Sequence, residues 1–497
     1  MTKKRFLGLL LDVQLNFGDH TQYLRDNALR ALNVVKIIAK YNKGSSSNDL
    51  LIIYRSLVRS KLDYGCQIYG TAPASKLKKL DPVHNQAIRL CLGAYRSSPV
   101  ESLYAESGEL PLSLRREMLQ LQFYARTKQF MPDQLETWLD DESCDNFYNS
   151  RPSKRPNVGL VARRSLEQLS IDMPKVELLT ESIYGPQMFS DPRVCLVLAE
   201  MRKSDTCDEQ YRQHFYSHRH ACDLEVFTHG SKTADGVGAG MVMLQGSTPH
   251  KIGRRLNPMA SVFTAELVAI KSAMHLLRSY VDISAVIYSD SKSALEAIQG
   301  SSSRGLVIEI RELLVDLTGK GVSVMFCWIP SHVGIAGNEL VDSVAKFATC
   351  RLGMSSQAVP MTDVRAHIRS RVYHKWKDKW FHLQTNKKLK EVRPSLDIPS
   401  PVAGWSRKDA TRLVRLRIGH TRITHSHFFT GEEVLTCVGC GVPMTVKHVL
   451  LECGEFAWAR NALYDTREVT IAGLLTERPL IEKVLLFMHR INWYYEI

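Results

Sequence analysis

The chain has 497 residues, room for about two to four domains, and its 65 Lys+Arg against 51 Asp+Glu give a formal net charge of +14. With 44% hydrophobic and 23% charged residues it falls with folded chains rather than disordered or collagenous ones. No apolar run reaches the roughly 20 residues that a spanning helix needs, so the basic balance points to a phosphate-rich partner over a membrane, with plain solubility as the competing reading.

The opening stretch "MTKKRFLGLLLDVQLNF" joins cations to a short apolar run, but Asp12 interrupts it and no small-residue cleavage site follows. It therefore does not read as a signal peptide. Eleven cysteines, an odd number, then point to a reducing intracellular compartment, nucleus or cytoplasm. Residues 1–130 read as helical. Leu24, Ala28, Ala31, Leu32, Val35 and Ile38 recur at helical spacing, "KGSSS" ends that segment, and Asn48 is placed to cap the next helix. Further helices are expected at 75–92 and 112–129. Arg55, Arg59, Lys61, Lys76, Lys78, Lys79, Arg115 and Arg116 are either solvated faces or contacts to a phosphate backbone.

Residues 131–220 read as a linker, with the basic, Pro-containing "NSRPSKRPN" and a scatter of Cys207, His214, His218, His220 and Cys222 at no recognisable metal spacing. Residues 221–352 alternate: strands "LEVFTH", "GAGMVML" and "KIGRRL", then helix, strand, two helices broken by "SSSRG", strand and a final helix. That order predicts a mixed five-stranded sheet with helices packed on it. Residues 353–497 turn basic and aromatic. "RVYHKWKDKWFH" reads either as a stacking surface for nucleic acid or as an amphipathic helix that buries Trp376 and Trp380.

Carboxylates stand at element ends in the third region. Glu266 is expected in the first turn of its helix, Asp290 ends a strand, and Asp342 sits one turn after Asn338. Alone, each has a bland reading: a Glu answering the helix dipole, an Asp in a turn. Together at one sheet edge they suit hard divalent cations, and two Mg²⁺ about 4 Å apart cleave phosphodiesters by activating water and steadying the leaving oxygen.

The ordered motifs "FTHGSKT", "FTAELVAIKSAM", "YSDSKSALEAI" and "WIPSHVGIAGNELVDSVAK" resemble the type 1 ribonuclease H domain of LINE-type (non-LTR) retrotransposons. The resemblance implies an α/β fold, binding of RNA–DNA hybrids, and hydrolysis of the RNA strand with two Mg²⁺. It places the family's metal-binding Asp–Glu–Asp–Asp set on His229, Glu266, Asp290 and Asp342, its mobile histidine on His332, and nucleic-acid contacts on Ser231 and Asn338. Residues 5–130, with "LVRSKLDYGCQIYG" and "SSPVESLYAESGELPLSLRR", resemble the thumb and connection after the polymerase palm of Jockey- and I-like elements. No Tyr/Phe-x-Asp-Asp signature occurs, so no reverse-transcriptase activity is expected. The whole looks like the C-terminal part of a larger polyprotein.

Near the C-terminus Cys437, Cys440, His448 and Cys453 follow the spacing C-x2-C-x7-H-x4-C. Thiolates and an imidazole so spaced suit a tetrahedral structural Zn²⁺; a redox-active or incidental C-x2-C is the alternative. The region is expected to be small, mostly helical and in contact with nucleic acid.

His229 is the departure. A neutral imidazole offers one nitrogen where an aspartate would offer two oxygens, and a protonated one repels metal ions. Glu225 lies four residues back, about 13 Å along the strand, too far to replace it. The expectation is a domain that keeps its fold and loses most of its Mg²⁺-dependent hydrolysis, as an impaired ribonuclease or a non-catalytic binding relic.

Overall fold

The computed structural model describes residues 3–40, 44–130, 139–151, 156–178, 192–201, 207–217, 219–245, 248–300, 305–351, 353–384, 387–396 and 404–497. The centre of "NSRPSKRPN", His218 and most of "SSSRG" lie outside them. Two compact units emerge: Met1–Phe123 with Leu139–Ser170 and Arg369–Ile497, and Tyr124–Trp138 with Ile171–Ile368. No described helix is long and apolar enough to cross a membrane.

The described residues of the first unit are mainly helical, with one hairpin of Lys3–Phe6 and Leu9–Asp12. Its helix Gly18–Ile38 buries Leu24, Ala28, Leu32 and Val35, the stripe its spacing predicts. The next helix is capped by Ser46 and not by Asn48: the Ser46 hydroxyl accepts the Asp49 N–H, satisfying one of the first-turn donors. Half of the cations set aside for phosphate are used inside the fold. Arg55 and Arg59 hold the Glu109 carboxylate at 2.7 and 2.6 Å, Arg115 pairs with Asp63 at 2.8 Å, and Arg116 is buried. Lys61, Lys78 and Lys79 stay exposed. Trp376 and Trp380 are both buried, so the helix that carries them packs its indoles rather than presenting them for stacking. This unit is built from both ends of the chain: Arg407 donates to the Leu90 carbonyl and Arg417 meets Glu106 at 2.9 Å.

The second unit centres on a six-stranded sheet. Its strands are β1 (Arg193–Cys195), β2 (Leu224–Lys232), β3 (Val237–Leu244), β4 (His250–Leu256), β5 (Ser284–Ser289) and β6 (Ser323–Trp328). Their order is β1-β6-β5-β2-β3-β4, with β2, β3 and β4 antiparallel and the rest parallel. Helices α1 (Val262–Leu277), α2 (Lys292–Gln299), α3 (Gly305–Gly319) and α4 (Ala336–Thr349) follow the predicted alternation. The sixth strand, β1, comes from residues read as linker. Three residues are too few for an alternation pattern to register, and only pairing with β6 makes them a strand.

Two close approaches position the site. A Cβ on Gly230 of β2 would lie 2.6 Å from the Glu266 amide nitrogen, so only glycine lets α1 come this near. On β3, a Cβ on Gly238 would lie 2.2 Å from the Ala345 carbonyl oxygen, so the bare strand seats α4 against the sheet.

Candidate active site

The parallel register of β2 and β5 ends at Thr228 opposite Ser289, so His229 and Asp290 face each other one step beyond. Asp290 is fixed there by the Trp328 indole N–H, which donates to its carbonyl at 3.0 Å. Glu266 arrives on α1 in its second turn, not its first, because the helix starts at Val262 behind a Ser261 cap. That position weakens the helix-dipole explanation for Glu266. Asp342 arrives on α4, one turn after Asn338.

The imidazole of His229 sits among all three carboxylates. Its Nδ1 is 3.1 Å from Asp290 Oδ1 and 3.4 Å from Glu266 Oε1, and its Nε2 is 3.3 Å from Asp342 Oδ1. Burial alone disfavours the charged ring, but the hydrogen bond with Asp290 and the negative charges of Asp290, Glu266 and Asp342 outweigh it and raise the His229 pKa above its ordinary value. Burial, reinforced by Asp290, pushes Glu266 up to about 8, against the opposing pull of His229 and the Gly230 amide. Both shifts favour the protonated forms, the imidazolium of His229 and the neutral carboxyl of Glu266.

Lys346, which sequence reasoning passed over, places its ammonium 2.7 Å from Asp342 Oδ2. The only signal for it was the i, i+4 spacing on α4, which is ordinary on any helix. His332 stands exposed on a backbone with φ of 58°, and one ligand atom each from His332, Glu339 and Asp342 lies within 4.8 Å of the others. Ser231 and Asn338 are buried on β2 and α4, each sharing its element with a site residue, and Asn338 Oδ1 has no hydrogen-bond partner among the described residues.

Two Mg²⁺ ions call for a cage of oxygens with room for water and phosphate. Here the first position of the expected set is a nitrogen ring whose two nitrogens both face the carboxylates expected to hold the ions, and Lys346 already pairs with Asp342. The donor set does not fit a pair of Mg²⁺ ions.

In the helical unit, Cys437, Cys440, His448 and Cys453 bring one ligand atom each to within 4.8 Å of the others. Buried His448 Nε2 has no hydrogen-bond partner among the described residues, as expected of a nitrogen kept for a metal. Three sulfurs and one imidazole nitrogen fit a tetrahedral ion.

Residues 222–349 match the RNase H family, and this part of the chain is a ribonuclease H domain, by family a hydrolase. The chain is also 37% identical over 92 residues to a protein described as probable RNA-directed DNA polymerase from transposon X-element, of Drosophila melanogaster. That alignment takes in 18% of this chain and 10% of the relative, so the chain spans a small part of that protein's length. Both matches agree with the resemblance to the C-terminal region of LINE-type retrotransposon proteins.

Proposed function

We propose that the ribonuclease H domain binds RNA–DNA hybrids and that its hydrolysis of the RNA strand is severely reduced. One observation carries this reading: the His229 imidazole lies within 3.4 Å of all three carboxylates expected to hold the catalytic ions. An imidazolium there supplies the positive charge that metal ions would otherwise supply, but it activates no water. We assign Ser231 and Asn338, each on an element that carries a site residue, to the nucleic-acid contact, and the 2′-OH of the RNA strand is what lets such a domain tell hybrid from DNA duplex. We read residues 1–130 as thumb- and connection-like, 221–352 as the ribonuclease H domain, and 353–497 as a basic region in which Cys437, Cys440, His448 and Cys453 hold a structural Zn²⁺. The net charge of +14 supports binding to phosphate backbones.

The test is fluorescence anisotropy of a labelled RNA–DNA hybrid with the full chain, in EDTA and in Mg²⁺, read alongside strand integrity on a gel. The expected result is binding in both conditions that weakens with added salt, with the RNA strand intact. Rapid cleavage in Mg²⁺, or no binding at low salt, would overturn the reading. Cleavage confined to Mn²⁺ or Zn²⁺ would instead favour a ribonuclease with altered metal preference.

A further inference from the structure

A second sulfur–nitrogen cluster lies in the sheet unit, apart from the carboxylates and from the C-terminal cysteines. Cys195 on β1 and Cys327 on β6 are register partners on adjacent parallel strands. Direct partners project from the same face, and neighbouring strands lie about 4.8 Å apart. His220 reaches the pair from the segment after helix Asp208–Ser217. One ligand atom from each of Cys195, His220 and Cys327 lies within 4.8 Å of the others. Cys327 is buried, and Cys195 and His220 are half-buried. A cavity of about 320 Å³ opens beside them, lined also by Phe215, Tyr288 and Trp328.

We propose that Cys195, Cys327 and His220 form a metal centre for a thiophilic divalent ion, Zn²⁺ by preference, with its fourth position open to this cavity and filled by water. Ligand lengths of about 2.3 Å to sulfur and 2.0 Å to nitrogen around a tetrahedral ion set the donors roughly 3.5–3.8 Å apart. The observed grouping needs only a small contraction to reach that geometry. Binding replaces the two S–H protons, which pass to solvent, so uptake strengthens as pH rises. The physical consequence is a clamp: β1 is an edge strand of three residues, and a shared ion ties it to β6.

The experiment measures bound metal in the full chain after zinc loading and desalting, and repeats it with Co²⁺ as a visible probe of thiolate ligation. Cys195→Ser and His220→Ala are compared with the unaltered chain and with Cys440→Ser. His220 is half-buried and outside any helix or strand, so that variant interrupts no regular element. The expected result is one ion per chain fewer in Cys195→Ser, weaker retention in His220→Ala, and thiolate–cobalt absorption that persists in Cys440→Ser. Because the readout is a difference, it holds whether or not the C-terminal cluster is loaded. An unchanged metal count and spectrum in both Cys195→Ser and His220→Ala would overturn the proposal. So would a Cys195–Cys327 disulfide found by peptide mapping without reductant.

Discussion

Replacing His229 by aspartate tests the central argument most directly. The substitution removes a cation placed 3.1 Å from Asp290 and 3.3 Å from Asp342 and adds another anion to the same space. Unit charges at such a distance attract by ~5 kcal/mol at an effective dielectric near 20, and desolvation offsets part of that. Breaking a buried pair of this kind costs about 3–5 kcal/mol. His229→Asp is therefore expected to lower the melting temperature of the sheet unit by roughly 6–20 °C in EDTA, at about 2–4 °C per kcal/mol. Mg²⁺ should restore part of the loss, about 2.7 kcal/mol at a concentration 100 times its Kd. With the oxygen cage rebuilt, the variant should hydrolyse the RNA strand of a labelled hybrid at least ~100-fold faster than the unaltered chain, the scale of a properly oriented catalytic group. His229→Ala is the control, since it removes the cation without supplying a ligand. Equal, robust hydrolysis by the unaltered chain and His229→Asp would refute the reasoning. So would a variant that is no less stable without metal.

Other outcomes follow from the same geometry. The raised pKa of His229 and the value of about 8 for Glu266 mean that the folded chain holds more protons than the unfolded chain. For Glu266 the window opens above its ordinary value of 4.5 and closes near 8; for His229 it opens above 6.5. Stability contributed by both groups is present at lower pH and is lost as pH rises, by up to ~1.4 kcal/mol per pH unit for each proton. Urea denaturation between pH 6 and pH 8 reads this directly, and a flat or rising profile would count against it. Gly238→Ala puts a Cβ against the Ala345 carbonyl, so α4 must shift, and a loss of about 1–3 kcal/mol is expected in the same measurement. Cys440→Ser should release one zinc ion and lower the melting temperature of the helical unit, whereas an unchanged metal content would remove the case for that cluster.

Much of the site was legible because its chemistry is carried by local motifs. Glu266, Asp290 and Asp342 each sit where a helix or strand of the expected type delivers them, and the odd residue, His229, was visible by its place in the first of four ordered motifs. The C-terminal cysteines and histidine were equally plain, since ligand spacing along a chain survives folding. Some features depended on particular packing. The capping role of Ser46 rather than Asn48 is a choice between neighbours with similar propensity, settled by which side-chain oxygen accepts the Asp49 N–H. The arginines at 55, 59 and 115 look like any solvated cations until Glu109 and Asp63 come alongside.

What the sequence determined by itself is the alternation of strands and helices, the residue types at the site and a histidine at position 229 where the resemblance expects an aspartate. What only the tertiary structure decided is their company: the imidazole among three carboxylates, Lys346 against Asp342, Cys195 beside Cys327, and the chain's two ends in one helical unit. The reason is physical. Periodicity and motif spacing report interactions a few residues apart, whereas ion pairing, strand register and burial are set by groups tens or hundreds of residues distant, whose meeting no local pattern records.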